Sequence, residues 1–222
     1  MSYLNNALVQ FFVYVHKLVA NLINDPNYSY GLAIIFVTLI IKVILLPLNI
    51  KSIRSSIRMT RIQPEAKKLQ DKYKNDPQRA QQEMMKLYKE KGVSPFGGCL
   101  PLLIQWPILL ALYYVFNNIT GINGVTFLWI KDLAKPDIVL AVLAGATQYY
   151  AGLIMNPSGG KDNPQGKQAA AMNLYMSLFM IVISWKLKAA LVLYWVVSNL
   201  IQMGQTILTK KLEEKHMAEN NA

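Results

Sequence analysis

The chain has 222 residues, 53% of them hydrophobic, with a mean hydropathy of +0.24 and a formal net charge of +11 from 23 Lys and Arg against 12 Asp and Glu. A single cysteine, Cys99, excludes an internal disulfide. Two histidines near opposite ends, His16 and His216, form no metal-ligand cluster, and no cofactor is implied.

The N-terminal MSYLNNALVQFF has neither a basic n-region nor a small-residue cleavage site, so it does not read as a signal peptide. Ala7 to Ile23 is apolar but interrupted by Gln10, His16, Lys17 and Asn21, which suits an amphipathic helix lying in the interface plane, with residues 1–29 as its segment. The alternative is a sixth span.

Five stretches come close to the ~20 apolar residues that a spanning helix needs. They are Tyr30–Ile50, broken only by Lys42; Cys99–Ile119, with Pro101 and Pro107; Ile138–Met155; Ala169–Trp185, short and rich in methionine; and Ala189–Leu208. The fold class expected is an all-α membrane protein: a five-helix transmembrane bundle (30–50, then four spans within 93–211), a cytoplasmic hairpin at 51–92 and a short tail at 212–222. Trp129, Trp185, Tyr28 and Tyr30 fall at span boundaries, where an aromatic belt belongs. Ser158–Gly166 reads as a turn-forming segment.

Lys51–Gly92 reads as two helices. Asp76 and Pro77 supply a cap and a first-turn proline, and Gly92 a stop. Ile62, Ala66, Leu69 and Tyr73 face Ala80, Met84, Leu87 and Tyr88, two stripes that should zip together. The segment carries 12 basic residues, among them Lys51, Arg54, Arg58, Arg61, Lys67, Lys68 and Lys72, against five acidic ones. One reading is ordinary positive-inside bias; the other is a docking arm for anionic lipid, nascent chain or ribosomal RNA. It lacks aromatic platforms for bases, so specific nucleic-acid binding is not expected. With Lys161, Lys167 and the tail lysines, this side of a five-span topology holds 17 Lys and Arg against five on the other. The N-terminus is therefore expected outside and the C-terminus in the cytoplasm of a bacterial plasma membrane.

None of the five stretches contains Asp, Glu or His. Lys42 is the one ionisable side chain deep within them. A lysine facing lipid there costs about 3 kcal/mol on insertion scales. Snorkelling would relieve that cost, but the neighbours favour a wet cavity. Thr38, Lys42 and Asn49 share a helix face. The last span carries Trp195, Ser198, Asn199, Gln202, Gln205 and Thr206 as one stripe, while Gln105 and Gln148 mark two other spans. Four polar faces, one cation and no anion imply a positively charged hydrophilic groove whose acidic partner lies outside the chain.

LPLNIKSIRSS, IQPEAKKLQDKYKNDPQRAQQEMMKLYKEKGVSPFGGCLPLLIQWPI and LVLYWVVSNLIQ closely resemble the YidC-type insertases of the YidC/Oxa/Alb superfamily, in their compact Gram-positive form. The resemblance runs from about Tyr30 to Lys211. It implies a membrane protein insertase and chaperone, not an enzyme, with a five-helix core whose groove opens to cytoplasm and lipid. Lys42 stands where the family usually has Arg, with Thr38 one turn earlier. Trp106, Leu109 and Leu112 match substrate-contacting positions of the second span, Tyr194 and Trp195 the aromatic pair of the fifth, and Gln148 a groove-lining position of the third. The implied partners are nascent membrane proteins with short, often acidic tails, besides anionic lipids; the Sec translocon and the ribosome are further candidates. A transporter or channel would show internal repeats and paired intramembrane ions. A membrane enzyme would need paired acids, metal ligands or an activated nucleophile. The sequence presents none of these.

Overall fold

A computed structural model describes residues 2–23, 25–94, 100–155 and 164–220. Cys99 and most of Ser158–Gly166 lie outside them. The described residues form eight α-helices: α1 (Ser2–Leu22), α2 (Pro26–Ile44), α3 (Leu46–Lys72), α4 (Pro77–Glu90), α5 (Leu100–Asn118), α6 (Ile138–Met155), α7 (Pro164–Ser184) and α8 (Ala189–Asn220). Three helical stretches among the described residues are long and apolar enough to cross a membrane: Pro26–Ile44, Ile138–Met155 and Ala189–Lys215.

The helix starts are set by local chemistry. The Asp25 carboxylate accepts from the Asn27 N–H at 2.9 Å, and Pro26 opens α2. Asp76 accepts from the Arg79 N–H at 3.0 Å ahead of Pro77 and α4. Past Glu90, Gly92 sits at φ +61°. The Val93 N–H reaches the Tyr88 carbonyl at 2.9 Å and the Gly92 N–H reaches that of Lys89 at 3.1 Å. This is a Schellman stop, which needs a residue at ease with positive φ.

Two boundaries differ from the hydropathy reading. The apolar run that opens at Tyr30 does not continue as one helix to Ile50. It breaks at Leu45, and residues 46–50 open the first arm of the hairpin. Pro47 has no N–H to offer the turn before it, so hydropathy continues where the hydrogen-bond ladder cannot. In the same way α7 begins at Pro164, inside the segment expected to be a turn.

α8 is the hub. It packs on α2, α3, α5 and α6, and every residue from Ala189 to Val196 is buried. α7 lies against α6. Gly152 there permits close approach, because a Cβ would collide with the Asn173 side chain, whose Nδ2 donates to the Tyr149 carbonyl at 3.0 Å. α1 does not stand apart. Phe12, Val15 and Val19 form a buried stripe on α2 and α5, with Phe12 edge-on to Phe116 at 5.4 Å, while Phe11, Tyr14 and Leu18 stay exposed. His16 stacks on Tyr30 at 3.6 Å and meets Ser29 Oγ at 3.0 Å. The Ser29 hydroxyl also reaches the Pro26 carbonyl at 3.2 Å. Burial pushes the His16 pKa down, consistent with a neutral ring.

The connection from α5 to α6 is a folded plug. Phe127 and Ile130 pair as an isolated antiparallel bridge, with Leu128 at φ 53° between them. Burial opposes ionisation of Asp132, but the N–H groups of Ala134 and Gly124 and the Lys135 ammonium outweigh it and hold its pKa below the ordinary carboxylate range. The plug also serves its neighbours: the Ala189 and Ala190 N–H groups at the start of α8 donate to the carbonyls of Lys135 and Leu133, both at 2.9 Å. Phe127 covers Gly31 so closely that a Cβ on Gly31 would overlap the ring. Gly31→Ala should therefore cost on the order of 1–3 kcal/mol, as overpacking does. A thermal melt in detergent checks this: the single variant melts lower, and Phe127→Leu in the same chain recovers part of the loss.

Candidate functional site

The polar face of α2 meets the polar stripe of α8 inside the bundle. Lys42 is only 6% exposed, and its Nζ donates to Gln202 Oε1 at 3.2 Å. Among the described residues no carboxylate lies within 4 Å of that ammonium; their ion pairs all lie elsewhere. One turn before Lys42, the buried Thr38 hydroxyl donates back to the Ile34 carbonyl at 2.6 Å, which leaves its lone pairs facing away from the backbone. Past the break at Leu45, Asn49 is also buried and its Nδ2 donates to Gln205 Oε1 at 3.3 Å. An amide of α8 thus pairs with Lys42 and another with Asn49.

A second cluster joins α8 to α6. Asn199 lies 3.3 Å from Thr147 Oγ1 and 3.4 Å from the Gln148 amide. Its amide is best satisfied with Oδ1 accepting from Trp195 Nε1 at 3.1 Å. Trp195, Asn199, Gln202 and Thr206 follow one another at helical spacing, so both clusters share one face of α8. Gln105 stands apart from them. Its Nε2 donates to the Tyr194 hydroxyl at 2.7 Å, tying α5 to α8.

The apolar candidates divide. Trp106 is 49% exposed and, with Leu109, lines a pocket of about 70 Å³ between α5, α7 and α8. Trp195, Phe179 and Met180 close its other sides. Leu112 and Tyr194 are instead core residues, 6% and 1% exposed. On the hairpin, Lys51, Arg54, Arg58, Arg61, Lys68 and Lys72 are exposed and Lys67 half-buried. Arg54 meets Glu213 of α8 at 3.5 Å, and the Lys72 ammonium lies over Tyr73. Ile62, Tyr88 and Val93 form the small core between the arms.

Sequence reasoning missed Thr147, whose signal was a hydroxyl in an otherwise apolar span beside Gln148. It also missed two lysines that serve backbone: Lys188 Nζ donates to the Phe116 carbonyl at 2.9 Å, and Lys210 Nζ to those of Ile154 and Met155. These carbonyls close the ends of α5 and α6, where helix termini leave acceptors unpaired.

The model of the 60Kd inner membrane protein family matches residues 21–216. The chain belongs to that family, the YidC/Oxa/Alb insertases. The membrane protein insertase YidC of Clostridium tetani is 73% identical over 222 residues, all of both chains. That of Clostridium acetobutylicum is 52% identical over 99% of this chain and 91% of its own. The crystal structure of active YidC insertase with the first transmembrane domain resolved aligns at a TM-score of 0.70 and 31% identity, over 91% of this chain and 45% of that one. With its apolar helices, this family member is a membrane protein.

The Gln105–Tyr194 contact has a measurable value. Interhelical hydrogen bonds in membranes average ~0.6 kcal/mol by double-mutant cycles. A cycle of Gln105→Leu and Tyr194→Phe, read by unfolding in detergent, should return a coupling of that order; a coupling of zero would mean the helices hold together by packing alone.

Proposed function

We propose that the chain inserts nascent membrane proteins, using the face shared by α2 and α8 as a positively charged groove. One observation carries the reading: a buried lysine whose partner is a neutral amide, on a face lined by further amides. An isolated ammonium in low dielectric is expensive. Keeping it there is useful if it lowers the cost of bringing an acidic segment into the same place.

In this reading α5 and α7 complete a five-span core with α2, α6 and α8, and α1 lies at the outer interface. The short acidic tail of a substrate enters from the cytoplasm and pairs with Lys42, while Thr38, Asn199, Gln202 and Gln148 keep the path hydrated. The membrane potential, positive outside, favours outward movement by about 2.3 kcal/mol per charge per 100 mV. The substrate's apolar segment then leaves into lipid past Trp106 and Leu109, with Trp195 behind them. Leu112 and Tyr194 shape that wall from the core. The chaperone role follows from shielding the segment before it packs. The basic hairpin lies on the cytoplasmic side, where Lys51, Arg54, Arg58, Arg61, Lys67, Lys68 and Lys72 meet anionic headgroups; the ribosome and the Sec translocon are the larger partners that side would meet.

Liposomes containing only this protein test the groove. A single-span substrate with an acidic N-tail should insert with wild type and Lys42→Arg, and fail with Lys42→Glu although the variant folds. Equal insertion by all three would remove Lys42 from the mechanism.

Orientation is tested separately. In a Cys99→Ser background, an impermeant maleimide should label Lys131→Cys from outside intact cells and leave Lys68→Cys unlabelled until the membrane is opened. The reverse pattern would invert the topology.

A further inference from the structure

The Lys42 site leaves buried donors short of acceptors. An ammonium has three N–H groups, and Gln202 Oε1 accepts one. That contact fixes the amide's orientation, because a cation must face the oxygen. Gln202 Nε2 is then turned away, buried, and without a partner among the described residues. The oxygen and nitrogen of an amide share one carbon, so Nε2 is within reach of an ion that also touches the ammonium. The Thr38 hydrogen is spent on the Ile34 carbonyl, and Asn49 Nδ2 on Gln205. The described carboxylates that form ion pairs do so elsewhere, among them Glu213 with Arg54, and Asp132 with Lys135 in the plug. A buried cation with no carboxylate beside it, and an unpartnered buried N–H on the residue that it touches, are the complement of a small anion.

We propose that between substrates Lys42 and Gln202 hold a monovalent inorganic anion, chloride under ordinary ionic conditions, and that the substrate's carboxylate displaces it. This rests on the groove reading above and adds a competition to it. The anion would keep the ammonium charged and partly compensated in the resting protein. Insertion then becomes an exchange of one anion for another, in place of a first neutralisation. The cost of stripping the incoming carboxylate of water is offset by return of the resident anion to bulk.

The test uses the whole protein in phospholipid-free detergent micelles, so that a lipid phosphate cannot substitute for the free ion. Chloride-35 linewidth is read against added protein, for wild type, Lys42→Arg, Lys42→Gln, Gln202→Leu and, for superficial binding, Lys131→Gln. Excess broadening is expected in wild type, Lys42→Arg and Lys131→Gln, reduced in Gln202→Leu and lost in Lys42→Gln. Folding of each variant is checked by its melt. Absence of broadening in folded wild type, or its persistence in folded Lys42→Gln, overturns the proposal. Return of the broadening when phosphatidylglycerol is titrated out of mixed micelles would show that a lipid phosphate competes for the same donors, which supports an anion site there. A glutamate-rich peptide from a substrate tail should remove the broadening. If the peptide fails while Lys42→Gln still abolishes the signal, the anion site stands and the groove reading falls.

Discussion

A buried lysine with no carboxylate within 4 Å among the described residues constrains the whole bundle. Lys42 faces inward on α2, so the helix opposite it must be polar along the same line. α8 answers with Gln202 at the ammonium and Gln205 one turn on, opposite Asn49. Neither pair can pack as an apolar seam can. Toward the other end of α2 the demand disappears: Ala33, Ile34 and Val37 are buried in the core that also holds Val192 and Val196 of α8. Phe127, Ile130 and Leu133 of the plug join that same core. The bundle is therefore sealed by hydrocarbon at the plug end and lined with amides at the hairpin end. The contrast between the two ends is the direct result of where the polar residues stop along α8.

Lysine at this position is chemically distinct from the arginine that the family resemblance leads one to expect there. It offers a compact charge on a flexible stem and lacks the two-pronged fork. Its geometry is set by a partner, and Gln202 supplies that partner. A guanidinium would span a carboxylate by itself; the ammonium of Lys42 instead leans on an amide from a different helix.

How much of this was legible depended on whether the determining interaction was local. The turn at Asp76 and Pro77 and the stop at Gly92 are written in consecutive residues, and capping chemistry reads them directly. The face of Thr38, Lys42 and Asn49 was visible as periodicity, as was the stripe on α8, but the pairing of Lys42 with Gln202 across 160 positions was not. Hydropathy overran the end of α2, because Pro47 breaks a hydrogen-bond ladder without lowering apolarity. It saw one greasy face on α1 and missed that Phe12 meets Phe116, which needs the third dimension. Leu112 and Tyr194 were read as path residues from aligned motifs; burial in the core is a property of packing that a motif does not carry. Lys188 and Lys210 gave no sign of their roles, since a lysine near a span end looks the same whether it faces headgroups or a carbonyl.

Those two lysines act as a gauge. One sits just before α8 and the other well along it, 22 positions apart, which at 1.5 Å per residue is roughly 33 Å, close to the thickness of a bilayer's hydrocarbon layer. Each is fastened to the end of a neighbouring helix, α5 at one side and α6 at the other. A free transmembrane helix meets a thinner membrane by tilting. α8 is pinned at its start to α5, which runs antiparallel to it, and at Lys210 to α6, which runs parallel to it, so its tilt is shared by three helices at once. The bundle thus carries its own ruler, and a membrane of another thickness would have to thin or thicken around it.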